Sequence, residues 1–104
     1  MSKNYAVIFT SKKKQNLQGY DEASDRMIDL VQNQHGFVDF DSVLGVDGVG
    51  ITVSYWESEK AILDWKKNLE HRDVQEKGRN QWYESFSVTV CKVERSYDFG
   101  SKDF

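Results

Sequence analysis

The stretch that determines the fold is Gly50-Ile-Thr-Val-Ser-Tyr-Trp-Glu-Ser-Glu-Lys-Ala-Ile-Leu-Asp-Trp-Lys-Lys-Asn-Leu69. Up to Trp56 its apolar and polar side chains alternate, which is typical of a strand. From Ser58 the period changes, because the apolar residues recur at three- and four-residue steps, as on one side of an amphipathic helix. They are Ala61, Ile62, Trp65 and Leu69. Since serine is a favoured N-cap, the stretch predicts a strand followed at once by a helix that begins at Ser58.

The segments on either side of this stretch also predict strands and helices in alternation. Asp47-Gly48 indicates a hairpin turn, because both residues tolerate positive φ, and it joins predicted strands 37–44 and 50–56. Before them come a predicted strand at 5–10, a loop at 11–18 and a helix at 20–35 that Gly36 ends in a left-handed conformation. After them comes a last strand at 87–95. The order strand, helix, strand, strand, helix, strand predicts a ferredoxin-like α+β fold, an antiparallel sheet with both helices on one face.

Both faces of the predicted sheet carry apolar side chains. In the first strand Tyr5, Val7 and Phe9 alternate with Ala6 and Ile8, and in the last strand Phe86, Val88 and Val90 alternate with Cys91 and Val93. Two helices cover only one face, and an uncovered apolar face is larger than monomers usually expose. We therefore expect a homodimer that pairs through the second sheet face and forms a dimeric α+β barrel.

Composition excludes several classes of function. The chain has 104 residues and a net charge of −3, so we expect one domain over residues 1–97 with a polar tail at 98–104, and no nucleic-acid partner. No apolar stretch is long enough for a membrane span. A lone cysteine, Cys91, is typical of a reducing compartment and predicts a cytoplasmic protein. With His35 and His71 it makes no metal site, and no glycine-rich phosphate loop follows a strand, so we expect no metal and no cofactor.

Several segments carry a resemblance to a known family. Residues 53–67 resemble the second-hairpin and second-helix signature of the antibiotic biosynthesis monooxygenase superfamily. Residues 71–79, 82–86 and 90–95 are similar to a small bacterial branch of it, and Gly36-Phe37 fits the pattern before the second strand. The resemblance covers about residues 4–97.

This resemblance implies a dimeric α+β barrel and two functions. The first is a cofactor-independent monooxygenase, an oxidoreductase that acts on a small quinol-like or polyketide-like aromatic substrate. The alternative is a non-catalytic dimeric protein that binds a small hydrophobic molecule or haem. Haem-degrading relatives use an asparagine in the first strand and a histidine in the second helix, where this chain has the apolar Val7–Phe9 and Gln75. Haem degradation is therefore disfavoured.

Three residues are candidates for catalysis, each with a structural alternative. Trp65 matches a pocket tryptophan of the relatives, but its helical spacing is equally that of a core residue. His71 titrates near neutrality and would serve as a base, whereas its charged surroundings are typical of a surface residue. Arg79 would stabilise an enolate or phenolate, or else pair with a carboxylate.

Four aromatic residues are candidates for the walls of a substrate pocket. A planar aromatic substrate would stack on such side chains. The alternative is that they close the core or the dimer interface, where these residue types are enriched. The four residues are Phe9, Trp56, Trp82 and Tyr83.

Overall fold

The computed structural model describes residues 2–14, 20–70 and 83–100. The elements in chain order are β1 (Tyr5–Lys13), α1 (Tyr20–Gln32), β2 (Phe37–Leu44), β3 (Val49–Trp56), α2 (Glu59–Glu70) and β4 (Tyr83–Lys92). The four strands form one sheet in the order β2-β3-β1-β4, and every neighbouring pair is antiparallel. This is the ferredoxin-like α+β fold that the order of sequence patterns predicted.

Both turns assigned to glycines have the backbone expected of them. Gly48 has φ +85°, and the hairpin is closed by the Gly45 N–H, which donates to the Val49 carbonyl over 2.8 Å. Asp47 Oδ1 accepts from the Val49 N–H at 3.1 Å. Gly36 has φ +82°, so its left-handed backbone is as predicted, but it lies in the turn before β2 and does not cap α1, which ends at Gln32.

The predicted helix and strand bounds were wrong at three places. α1 ends at Gln32 rather than His35, and a turn fills the residues up to Gly36. β1 continues to Lys13, through positions predicted as loop, because Lys12 pairs with Val49 on one side and Ser85 on the other. β4 begins at Tyr83 rather than Ser87 and ends at Lys92. Hydrogen bonding to neighbouring strands extends a strand through polar residues. The local sequence pattern does not show which strands will be neighbours.

The second helix begins as predicted. Ser58 Oγ accepts the Ala61 backbone N–H at 3.1 Å, which satisfies one of the donors that a helix leaves free in its first turn. The Ala61 and Ile62 side chains are buried. The cap therefore fixes the start of α2 where its apolar side meets the sheet.

Alternation divides the sheet into two faces. Residues directly opposite each other on neighbouring strands share a face, so Tyr5, Val7 and Phe9 lie on the face of Trp56, which we call the helix-side face. Ala6, Ile8 and Thr10 lie on the opposite, outer face. The core cluster lies on the helix-side face, where Phe37 and Trp56 from the sheet meet Ala61 and Ile62 from α2, with Val31 of α1 packed against them.

The helices do not cover the helix-side face evenly. In the described part of the chain α1 packs mainly on β2 and α2 on β3. On β4, at the far edge, Phe86, Val88 and Val90 are 40%, 55% and 46% exposed. These three residues pair with Ser11, Phe9 and Val7, so they lie on the helix-side face and form its open part.

Candidate functional site

Aromatic side chains form two groups on the helix-side face. The first, which we call the Trp65 group, contains Phe37, Phe40, Trp56 and Trp65. The second, which we call the Phe9 group, contains Phe9, Tyr83 and Phe86. The Trp65 group lies against β2, β3 and α2, whereas the Phe9 group joins β1 to the edge strand β4.

Trp56 is the centre of the first group and belongs to the core. It is 1% exposed, and its Nε1–H donates to Ser54 Oγ over 2.9 Å. The Phe37 ring meets it edge-on, with 5.5 Å between centroids. Because its surface is covered and its polar atom is bonded within the sheet, Trp56 meets a ligand only if the core around it rearranges.

Trp65 lies at the border of the core. It projects from α2 and is only partly buried. Its ring is tilted by 33° relative to Trp56, with 6.3 Å between centroids. Trp65 thus packs against the core and keeps part of its surface accessible.

The Phe9 group is a compact set of rings. Phe9 lies 5.6 Å from both Tyr83 and Phe86, and the Tyr83–Phe86 separation is 6.0 Å. Edge-to-face and tilted contacts at these distances are favourable aromatic geometries. Since Phe86 is partly exposed, the group presents ring surface outside the core.

The sheet forms a floor between the two groups. Tyr5 pairs with Trp56 of the Trp65 group and lies four residues from Phe9 on β1. At the rise of a strand, this separates Tyr5 from Phe9 by roughly 13 Å. Val7 lies between them, opposite Ser54 and Val90, and Phe9 is opposite Thr52. Ser42 and Thr52 hydroxyls are 2.8 Å apart and hydrogen-bonded. The floor therefore combines apolar side chains with hydroxyl groups that already have partners.

Charged side chains lie at the edges of this surface. Lys13 Nζ is 5.8 Å from the Tyr83 ring centroid, at the end of the Phe9 group. Lys60 on α2 donates to Asp64 Oδ2 over 2.8 Å, and this bond lowers the pKa of the Asp64 carboxyl. The Lys60–Asp64 pair is solvent-exposed on α2, so it makes no contribution to the chemistry of the floor.

The structure brings together some of the residues predicted from the sequence. Trp56 and Trp65 are in contact, and Phe9 and Tyr83 are in contact, but the two pairs belong to different groups. His71, Arg79 and Trp82 lie outside the described residues. Sequence reasoning missed Phe86 and Lys13 as members of this surface. The alternation of apolar residues in the last strand is the signal for Phe86, whereas the polar run around Lys13 predicts a loop.

No group of three or more His, Cys, Asp or Glu side chains is arranged to hold a metal ion within residues 2–14, 20–70 and 83–100. Over the same residues, neither helix has the length and apolar character needed to cross a membrane.

Comparison with known proteins identifies the family. The family model for antibiotic biosynthesis monooxygenases matches residues 5–77, which includes both helices and the first three strands. The chain belongs to the antibiotic biosynthesis monooxygenase family. A relative, the uncharacterized protein YqjZ of Bacillus subtilis, is 52% identical over 91 residues, covering 88% of this chain and 80% of YqjZ.

Solved structures with similar folds are distant in sequence. SnoaB, a cofactor-independent oxygenase from Streptomyces nogalater, has a TM-score of 0.75 at 9% identity, covering 91% of this chain and 97% of SnoaB. Rv0793 from Mycobacterium tuberculosis has a TM-score of 0.72 at 16% identity, covering 93% and 98% of the two chains. At these identities the likeness establishes the fold that this family member shares with them.

Proposed function

We propose that this family member is a cofactor-independent oxygenase that binds a small, planar, acidic aromatic substrate on the helix-side face. The observation that carries the proposal is the exposed apolar strip of Phe86, Val88 and Val90 on β4. It lies beside the Phe9 group, on the same face of the sheet as the half-buried Trp65. Planar aromatic molecules bind such surfaces by stacking and by burial of apolar area. The family, and the description of SnoaB as a cofactor-independent oxygenase, support the choice of reaction.

The proposed reaction requires little from the protein. A base removes a proton from the activated carbon or hydroxyl of the substrate, and the resulting carbanion reduces dioxygen directly. For an anthrone, one oxygen atom becomes the new carbonyl oxygen and the other leaves as water, with the two hydrogens of the oxidised methylene. The protein supplies a base, a donor that stabilises the anion, and a surface that excludes water.

The proposed roles follow from the positions of the side chains. Trp65, Phe9 and Tyr83 would contact the substrate rings, while Trp56 would hold Trp65 in place from within the core. His71 is proposed as the base, Arg79 as the anion-stabilising donor and Trp82 as a further wall. These three lie outside the described residues, and their roles rest on the sequence.

Oxygen uptake tests the proposal. We expect the wild-type protein to accelerate oxygen consumption with at least one member of a panel of anthrones, quinols and flavonols. Trp65→Phe should reduce kcat/KM by roughly tenfold, since it removes ring surface that contacts the substrate. The matched control is Leu63→Ala, which changes a 53% exposed apolar residue of the same helix and should leave uptake unchanged. If no panel member is consumed faster with protein than without it, the oxygenase proposal is wrong.

One observation favours the alternative of a non-catalytic binding protein. The described side chains of the floor are apolar or carry hydroxyls bonded within the sheet, as Ser54 and Thr52 do, and such groups are not bases near neutral pH. A binder needs the surface without a base. Ligand binding that is tight by fluorescence titration, together with oxygen uptake equal to the protein-free rate, would support this alternative.

A homodimer is part of the same proposal. The outer face carries a strip of apolar residues along β1 and β3, formed by Ile8, Ile51, Val53 and Tyr55, and extended on β2 by Val43. Ile51 and Val43 are among the exposed large apolar residues of the chain. Pairing this strip with a second copy would bury it, and twofold pairing is the commonest closed arrangement. The alternation of the strands predicted apolar residues on this face, and the apolar strip supports a homodimer that pairs through it.

A further inference from the structure

Lys13 places a positive charge at one end of the proposed binding surface. Its Nζ lies 5.8 Å from the centroid of the Tyr83 ring. A Cβ atom built on Gly50 would lie 3.0 Å from the same Nζ and 3.6 Å from Ser11 Oγ. Three strands therefore meet at this ammonium group, with Lys13 from β1, Tyr83 from β4 and Gly50 from β3.

Strand alternation places Lys13 on the helix-side face, and two local features determine what lies beside its side chain. The β1–β4 register shifts between Lys12 and Lys13, so that Lys12 pairs with Ser85 and Lys13 with Tyr83. Such an irregularity changes the direction of the side chains around it. Gly50, buried opposite Ser11, has no side chain, and the ammonium group occupies the space beside it. The neighbouring Lys12 faces the other way by strand alternation and pairs with Glu84 at 3.8 Å.

We infer that Lys13 binds the anionic oxygen of an aromatic ligand whose rings lie on the Phe9 group. This inference rests on the proposed function and deepens it, because it narrows the ligand class to aromatic phenols, enols and carboxylates that are bound as anions. A lysine ammonium donates charge-assisted hydrogen bonds to such an oxygen. A ligand ring stacked on this group would have its acidic group next to Lys13, because Lys13 Nζ is 5.8 Å from the Tyr83 ring centroid.

The charge also favours the reactive form of the substrate. An opposite charge within about 4–6 Å lowers the pKa of an acidic group by roughly 1–3 units. The proton leaves the substrate to a base, and the resulting anion lies beside the Lys13 ammonium. Lys13 is therefore a specificity-determining residue that selects acidic aromatics and increases the fraction bound as anion.

The test uses 1,2-dihydroxyanthraquinone, whose visible absorption shifts when a hydroxyl ionises, and its dimethyl ether, which does not ionise. Spectra of the protein-bound dye across pH give the pH of half-ionisation, and tryptophan quenching gives the affinity of each compound. With the wild-type protein we expect half-ionisation about 1 pH unit lower than for the free dye. Lys13→Met should abolish this shift and weaken binding of the dye anion about tenfold, with the ether bound as before.

Two further variants serve as controls. Lys12→Met makes the same charge change one residue away, on the outer face, and should keep the wild-type shift and affinity. Gly50→Ala retains every charge and places a Cβ 3.0 Å from Lys13 Nζ, which the flexible end of the lysine relieves by moving a few tenths of an ångström, so the shift should remain close to the wild-type value. Equal effects of Lys12→Met and Lys13→Met would overturn the inference. So would a Lys13→Met protein that binds the ether as weakly as it binds the dye anion, because the loss would then be independent of the ligand's charge.

The outcomes separate this inference from the oxygenase proposal. A dye shift that depends on Lys13, without oxygen uptake on any substrate, supports the anion site and rejects the oxygenase. Oxygen uptake that is equal in wild type and Lys13→Met supports the oxygenase and rejects the anion site. Wild-type protein that binds neither the dye nor its ether also overturns the inference.

Discussion

Gly36 is required by two independent constraints. Its φ of +82° lies in the left-handed region, and a Cβ atom at this position would lie only 2.5 Å from Ala61 Cβ. The second constraint comes from the close approach of α2 to the turn before β2. The backbone is also bonded here, since the Glu57 N–H donates to the Gly36 carbonyl over 2.8 Å. Gly36 thus joins the start of β2 to the helix that carries Trp65.

We predict that Gly36→Ala lowers the free energy of unfolding by about 3 kcal/mol, from roughly 1–2 kcal/mol for the left-handed conformation and a further cost for overpacking against Ala61. Urea denaturation measures the change. Gly48→Ala is the matched control, because Gly48 has φ +85° but a Cβ there meets backbone atoms only at 3.6 Å and beyond. It should cost about 1 kcal/mol. Equal costs for the two variants would show that the contact with Ala61 is unimportant.

The helix α2 matters to the site because it carries Trp65 above the sheet. Its first turn is capped by Ser58, and its buried residues Ala61 and Ile62 fix its rotation. Trp65 follows one turn later, on the side that packs on Trp56. The position of the indole is therefore a consequence of where the helix begins and which side of it is buried.

We predict that Ser58→Ala destabilises the protein by about 1 kcal/mol, because the Ala61 N–H loses its acceptor. Thermal or urea unfolding checks this value. Ser87→Ala on the exposed part of β4 is the matched control and should change stability by less than about 0.5 kcal/mol. A Ser58→Ala protein as stable as the control would mean that water replaces the cap at no cost.

The two faces of the whole sheet differ in what covers them. On the helix-side face the helices pack on β2 and β3, and β4 is exposed, whereas the outer face carries the apolar strip along β1 and β3. The strip is flanked by polar residues, with Asp39 and Asp41 on β2 and Ser87 and Thr89 on β4. A polar border around an apolar centre is the usual composition of a protein–protein interface.

We predict that Ile51→Lys converts the proposed dimer to monomers. The lysine would be solvated on the exposed outer face of a monomer but buried without a partner in the dimer. Sedimentation velocity at micromolar concentration measures the change, and circular dichroism checks that the fold is retained. Leu63→Lys is the control, since Leu63 on α2 is 53% exposed and Ile51 is 47% exposed. A wild-type protein that is monomeric under these conditions would contradict the homodimer.

The sequence by itself determined the order of the elements, the faces of the strands, the two glycine turns and the start of α2. These features depend on local periodicity and on the preferences of single residues, and a short stretch of sequence contains both signals. Only the tertiary structure decided that β1 extends through Lys13, that Trp56 is buried while Trp65 is half-open, and that Lys13, Gly50 and Tyr83 meet. Those outcomes depend on which strands become neighbours and in what register, and residues far apart in the chain acquire that relation only when the sheet forms.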